Sequence, residues 1–505
     1  MRFLFILTLI IFLGSEGAYA DCPERSLCVA VAGRPASLGN PYSTLPIGAI
    51  NPMHVLYDAL TIIGDNGAIL PSLALNWEKK DDRSWIFYLR EGIVFSNGEE
   101  FNAKTVVDVI TYLRSRDAAG YPVASETKII KDAKLINNFT VQVNTNEPDA
   151  ILPKRMSFVY MVPMQYWRKV GTDEFGLKPS GSGPFKLKDW GIRSGTYIFE
   201  RNDLSWRKSL FFDEIRFTAV GDVVSRAQSM ISGQIDLSFK LSLDLLVDLE
   251  ARGFNTIAKQ TYSVGAWAMK QIDDKSPISN INVRKAMNYA IDRETIAKTI
   301  LSDVSSPVSQ MATPEVFGYN PKLDPYPFDP LRAKKLLADA GFESGIKLRA
   351  IVRSDPSVPE STLVNQVVAQ NLSDVGIDVV LQAVPGTRWI SMYFSGDWDG
   401  ADLLETSFNN TIHGDVIRSI ETASCIKTGA FFCDKDMMVK IYESNQEFNN
   451  DLREKKLQKI IAQLHFNPPA LYLFPYFDTL AFSPRLKNLP MTGQKVNMEM
   501  IEINQ

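Results

Sequence analysis

The sequence predicts an α/β protein of more than one domain, with an α+β unit on its N-terminal side. Three observations carry this. In the second half, helix, glycine stop and strand follow one another repeatedly, the pattern of an α/β domain. In the first, short β-rich runs bounded by turns flank one amphipathic helix. Between them, Pro179 to Phe185 (PSGSGPF) is the densest Gly/Pro/Ser cluster of the chain and a candidate crossing between domains. The 505 residues, 45% hydrophobic and 22% charged, have the proportions of a soluble globular protein. At ~100–200 residues per domain they allow two to four domains.

The elements follow in order. Arg2, the apolar run Phe3 to Leu13 and the Ala18-Tyr19-Ala20 pattern read as a secretory signal cleaved after Ala20. The run is too short for the ~20 residues that a membrane-crossing helix needs. Cys22 and Cys28, then Cys425 and Cys433, form two local couples, and an exported chain meets an oxidising compartment. Pairing within each couple is the simplest of the three connectivities. Ser84 to Arg90 is β-rich after the turn-forming Asp81-Asp82. A helix opens at Asn102 as N-cap, with Val106, Val109, Ile110 and Leu113 on one face. Val141 and Val143, Tyr197 to Glu200, and Glu214 to Phe217 mark further strands. Val283, Ala286, Met287, Ala290 and Ile291 form a helical stripe. The next helix has Asp329 as N-cap, Pro330 in its first turn and Gly341 past its end. Val364 to Val375 is helical, Gly376 stops it, and Ile377, Val379 and Leu381 alternate as a strand. Leu457, Ile460, Ile461 and Leu464 belong to a last helix before Pro468-Pro469.

Chemistry-bearing motifs are scarce. With 54 Lys+Arg against 58 Asp+Glu, no overall basic field exists to hold nucleic acid. No nucleophile elbow, zinc helix, phosphate loop or dinucleotide fingerprint occurs. Three histidines and four cysteines leave few ligands for a metal, and His54, His413 and His465 read as structural. Asp292-Arg293-Glu294 reads as a solvated helix face. No catalytic residue, metal or cofactor is expected.

Longer strings are specific. Leu56 to Asn76 (LYDALTIIGDNGAILPSLALN) and Trp85 to Ala103 (WIFYLREGIVFSNGEEFNA) resemble the early signature of the family-5 extracellular solute-binding proteins, the group that contains the dipeptide- and oligopeptide-binding proteins of ABC importers. Gly181-Ser182-Gly183-Pro184-Phe185, Ser232 to Asp236 (SGQID), Asn282 to Glu294 (NVRKAMNYAIDRE) and Asp329 to Phe342 (DPLRAKKLLADAGF) resemble later landmarks, in family order. The resemblance implies a two-lobed, hinged periplasmic binding protein fold of type II with an extra α+β subdomain. Lobe I would combine residues 21–62, 179–265 and 475–505; residues 63–178 would be the subdomain and 266–474 lobe II. Gly181, Gly183 and Pro184 are then the expected hinge. The implied partners are a small solute, peptide-like or otherwise polar and organic, and an ABC permease of the inner membrane, served by a periplasmic monomer. The alternatives are a secreted hydrolase of peptides or glycosides within the same architecture, and a periplasmic chaperone or sensor partner.

The resemblance also assigns candidate ligand-binding residues. In peptide-binding relatives an Asp takes the ligand amine; aligned on Asp399, that position falls on Phe408. A ring cannot neutralise an ammonium, which disfavours a peptide with a free amino terminus unless Glu405 or Asp402 substitutes. Arg353, after the strand Leu348 to Val352, resembles the position that reaches a ligand carboxylate. Trp267 and Trp389 are expected pocket walls, and Asn409 and Asn410 are expected to offer polar groups to the cleft.

Overall fold

The computed structural model describes residues 22–35, 37–45, 48–273, 275–354 and 358–504. The signal segment therefore lies outside the described residues. Ten strands form one sheet: β1 (Ser26–Val31), β2 (Phe185–Asp189), β3 (Thr196–Arg201), β4 (Glu214–Ala219), β5 (Leu237–Phe239), β6 (Asn255–Met269), β7 (Ile346–Arg353), β8 (Ile377–Val384), β9 (Leu403–Asn409) and β10 (Ala470–Phe482). Their order is β8–β7–β9–β6–β10–β5–β1–β4–β3–β2. β1 runs parallel to β4 and β5, and β7 parallel to β8 and β9, while β6 is antiparallel to β9 and β10. The sheet thus has two halves, each with parallel pairings at its centre, joined through the long antiparallel pair β6 and β10, while β2 and β3 extend the first half antiparallel.

That pair changes character midway. Asn255 to Gln260 face Phe482 to Phe477 in regular register; the next partners are Val264 with Pro475 and Ala266 with Tyr472, with irregularities on either side of Val264. Pro475 has no N–H to give to the ladder, a local cause of the break. On one side of the break the far end of β10 pairs with β5, and on the other the far end of β6 pairs with β9, so the break falls at the seam between the halves.

A second sheet holds the strands Ala74–Asp81, Ser84–Leu89, Thr140–Thr145 and Ile130–Asn137, in that order. The helix Ala103–Leu113 packs on it, burying Val106, Val109, Ile110 and Leu113. Its start is fixed as expected: the Asn102 side chain accepts from the N–H groups of Lys104 and Thr105, and Thr105 reciprocates. The helices Pro330–Asp339 and Ser361–Ser373 also match their punctuation; Asp329 accepts from the Arg332 N–H at 2.8 Å, and Gly376 stands at φ 95° before β8. Disulfides join Cys22 to Cys28 and Cys425 to Cys433.

One reading is corrected here. Arg293 is buried rather than solvated: it donates to the carbonyls of Tyr472 and Asn288. Arg284, equally buried, donates to the carbonyls of Pro468, Ile278 and Ser279. Asn288 donates to Ala470 O and accepts from the Tyr472 N–H, so the NVRKAMNYAIDRE string is a polar clamp on the start of β10. Burial without a carboxylate partner holds both guanidinium groups down, to about 10. The expected hinge residues sit in close quarters. A Cβ on Gly181 would stand 2.0 Å from Leu56 O, and one on Gly183 2.4 Å from Val55 O. Gly181 and Gly183 are therefore packed tightly against the segment 55–57, where glycine serves close approach, and the backbone that passes between the halves of the sheet is β6 and β10.

Candidate functional site

Strand parity decides which side chains reach the seam. Along β9, Glu405, Ser407 and Asn409 share one face and stand opposite Trp267, Gly265 and Ser263 of β6. Leu404, Thr406 and Phe408 point the other way, into a core with Val264, Ile351 and Tyr472. Three cavities of about 120, 80 and 40 Å³ follow the first face along the seam. The central one is bordered by Lys240, Ser263, Ser407, Asn409, Tyr476 and Asp478. It shares Gly48, Thr411 and Gln494 with the second, which reaches Asp58, Tyr262 and Lys495. It shares Val358, Tyr476 and Phe477 with the third, an apolar slot that ends on Trp267, Asn365 and Glu405. Ligand pockets commonly measure ~300–1,000 Å³, and each of these three cavities is smaller than that.

The residues expected from sequence now divide. Trp267, Glu405 and Asn409 line the cavities. Trp267 is fully buried and donates to Asn365 Oδ1 at 2.9 Å. Glu405 accepts from the Arg353 N–H at 2.7 Å, which places Arg353, at the end of β7, beside the site. The Arg353 charge acts on both Tyr476 and Lys240. Trp389 lies one layer back: its indole donates to the Glu405 carbonyl at 2.6 Å, and its ring stacks on Tyr393 at 5.1 Å. Phe408 is a correction. Its ring is buried 5.9 Å from Tyr472, on the core side of β9, so it replaces no ligand group, and the neighbours facing the seam are Ser407 and Asn409. Asn410 is likewise buried, donating to Met311 O and accepting from Ser419. Asp402 is occupied by Ser276 and the Arg349 N–H.

Sequence reasoning missed Lys240, Gly265, Tyr476, Asp478 and Lys495. Gly265 is needed because a Cβ there would lie 2.3 Å from the Tyr476 ring. Burial lowers the affinity of the Lys240 ammonium for its proton and raises that of the Asp478 carboxylate, each opposed by the charge of the other. Lys495 is pulled down to about 8, again chiefly by burial. Nothing in local pattern marks these positions; the signal would have been the strand break, which brings β5, β10 and the C-terminal residues to one line.

Contacts beyond the cavities also bridge the seam and tie the second sheet's domain to the half of the large sheet that holds β9. The Leu243 N–H, at the start of the helix Leu243–Ala251, donates to Glu360 Oε1 at 2.9 Å across the seam. Glu126 pairs with Arg418 at 2.6 Å, Lys154 with Asp415 at 3.4 Å, and the Ser157 hydroxyl donates to Ile412 O. Gly67 and Gly414 touch backbone to backbone, where a Cβ on the former would lie 2.3 Å from the carbonyl of the latter.

Residues 68–407 match the profile of the bacterial extracellular solute-binding proteins, family 5. Heme-binding protein A of Haemophilus influenzae is 27% identical over 331 residues, covering 58% of each chain. The dipeptide-binding protein of Escherichia coli is 24% identical over 335 residues, covering 61% of this chain and 62% of that one. These alignments span less than two thirds of the relatives' own lengths. In shape the likeness is more complete. A dipeptide-binding protein from Pseudoalteromonas, solved with Met-Leu, superposes with a TM-score of 0.82 at 19% identity, covering 95% of this chain and all of that one.

Proposed function

The chain belongs to the bacterial extracellular solute-binding proteins of family 5, and from that premise we propose that it is the substrate-binding component of an ABC importer, closing two lobes around a peptide-like or other small polar organic solute. The family is one of transporter binding proteins, not of enzymes. One observation supports the reading above others: linked cavities run along the seam at which β6 and β10 lose register, the place where a solute would touch both halves at once. Binding energy that exists only when both lobes meet the solute drives closure.

In this reading lobe I takes residues 21–62, 179–265 and 475–505, the subdomain 63–178, and lobe II 266–474. The boundaries at 265 and 475 are supported by the irregular pairing around Val264 and Pro475. The ligand contacts come from Trp267, Arg353, Glu405 and Asn409 of lobe II. Export with cleavage after Ala20, a periplasmic monomer and delivery to an inner-membrane permease complete the proposal. It is consistent with this that no helix among the described residues is long and apolar enough to cross a membrane.

The test is thermal unfolding of the mature protein, refolded to strip bound solute, against peptides, opines, oligosaccharides and metal chelates. Stabilisation by one class without turnover is expected. No stabilisation by any of them, or turnover abolished by Glu405→Gln, would overturn the reading, the second in favour of a hydrolase.

A further inference from the structure

Two ammonium groups at the seam have no acceptor among the described residues. Lys240 stands directly after β5 with its backbone in the left-handed region at φ 56°, a conformation that costs a non-glycine residue and tends to persist at ligand clamps. It borders the central cavity, and among the described residues no hydrogen bond or ion pair engages its Nζ; Asp478, the acid that acts on it, lies beyond ion-pair distance and accepts instead from the Ala49 N–H. Arg353 and Arg226 add positive potential there. Lys495 borders the second cavity. The two acids around it, Asp58 and Glu499, are both held by Arg207, and no described residue bonds its Nζ. Gly48, Thr411 and Gln494 lie between the two lysines, bordering both cavities.

A charged amine stripped of water is stable only when acceptors replace that water. Closing the seam on a neutral solute leaves two such amines unsatisfied, whereas a solute that brings acceptors of negative charge satisfies both. Building on the importer reading, we propose that Lys240 and Lys495 each receive an acidic group, so that the cleft selects a compact solute with two anionic groups, carboxylate or phosphate, joined by a short polar spine. Burial is the first cause of the lowered proton affinity of both lysines, and an arriving acid would oppose it.

The stripped mature protein is titrated calorimetrically at pH 7 with Ala-Glu, Ala-Gln, Ala-phosphoserine and Ala-Ser. The expected result is that an acidic member binds at least tenfold more tightly than its neutral counterpart. The preference falls in Lys240→Met and Lys495→Met and is kept in Lys495→Arg, which also controls for misfolding. Which acid wins separates carboxylate from phosphate. Equal affinity for charged and neutral members, or no binding by any of the four, overturns the assignment. If a neutral compound still stabilises the protein in the thermal panel, the importer reading survives that failure; if nothing does, both fall.

Discussion

Gly265 and Phe408 show how much one position decides at the site. Gly265 leaves room for the Tyr476 ring, which borders both the central cavity and the apolar slot. Gly265→Ala is expected to push that ring into the cavity and weaken solute binding at least tenfold, with a change in thermal midpoint of the solute-free protein of only a few degrees; calorimetry beside thermal melts checks both. Phe408→Asp places a carboxylate in a dry core and is expected to cost at least ~3 kcal/mol of stability, measurable by urea unfolding, rather than to create an amine site. The Phe408 expectation went astray by a single residue, and in a strand a shift of one exchanges core for cleft. Glu405, Asn409 and Trp267 were legible because the resemblance named their segment. Lys240 and Lys495 were not, because their neighbours in space are far off in the chain.

Elements with strong punctuation were the most legible. The helix after Asn102, the helix after Asp329 and the strand after Gly376 stand where caps and stops put them. Asn102→Ala is expected to cost ~1 kcal/mol, since two N–H groups of the first turn lose their acceptor. The NVRKAMNYAIDRE string, which spans the helix Ile281–Tyr289 and the start of the helix Arg293–Thr299, was harder, because its arginines look solvated in any periodicity plot. Their partners are carbonyls at the start of β10, contributed by a segment some 180 residues later in the chain. Arg293→Met is expected to destabilise by ~2–4 kcal/mol, a loss read by chemical denaturation, because three buried acceptors lose their donor.

At the scale of the molecule, the contact between the second sheet's domain and the far half of the large sheet carries a pH dependence. His413 is fully buried there, tilted on Phe158 at 5.4 Å, with neither ring nitrogen bonded among the described residues. Lys154 and Arg155 face it from one side and Asp415 and Arg418 from the other, with Arg453 behind Asp415. Burial first, then Arg155 and Arg418, drives its proton affinity well below that of a free imidazole. The folded protein therefore holds His413 neutral while the unfolded chain takes up a proton near pH 6.5. Stability is full above that pH and falls as pH drops through it, by ~1.4 kcal/mol per unit while the folded form stays neutral. Asp415, its carboxylate stabilised by Arg453 and Lys154, adds a loss at still lower pH. Thermal midpoints between pH 7.5 and 5 are expected to decline, and His413→Leu to flatten the upper part of that decline.

The long pair β6 and β10 gives the protein a flexure in place of a linker. A tether would let the lobes wander in many directions; two antiparallel strands held by backbone bonds at both ends bend chiefly about one line, through Val264 and Pro475. The amides that report opening should accordingly be few and consecutive. Hydrogen exchange accelerated by solute removal is expected to concentrate at residues 261–265 and 474–477, while the ladder from Asn255 to Gln260 stays protected.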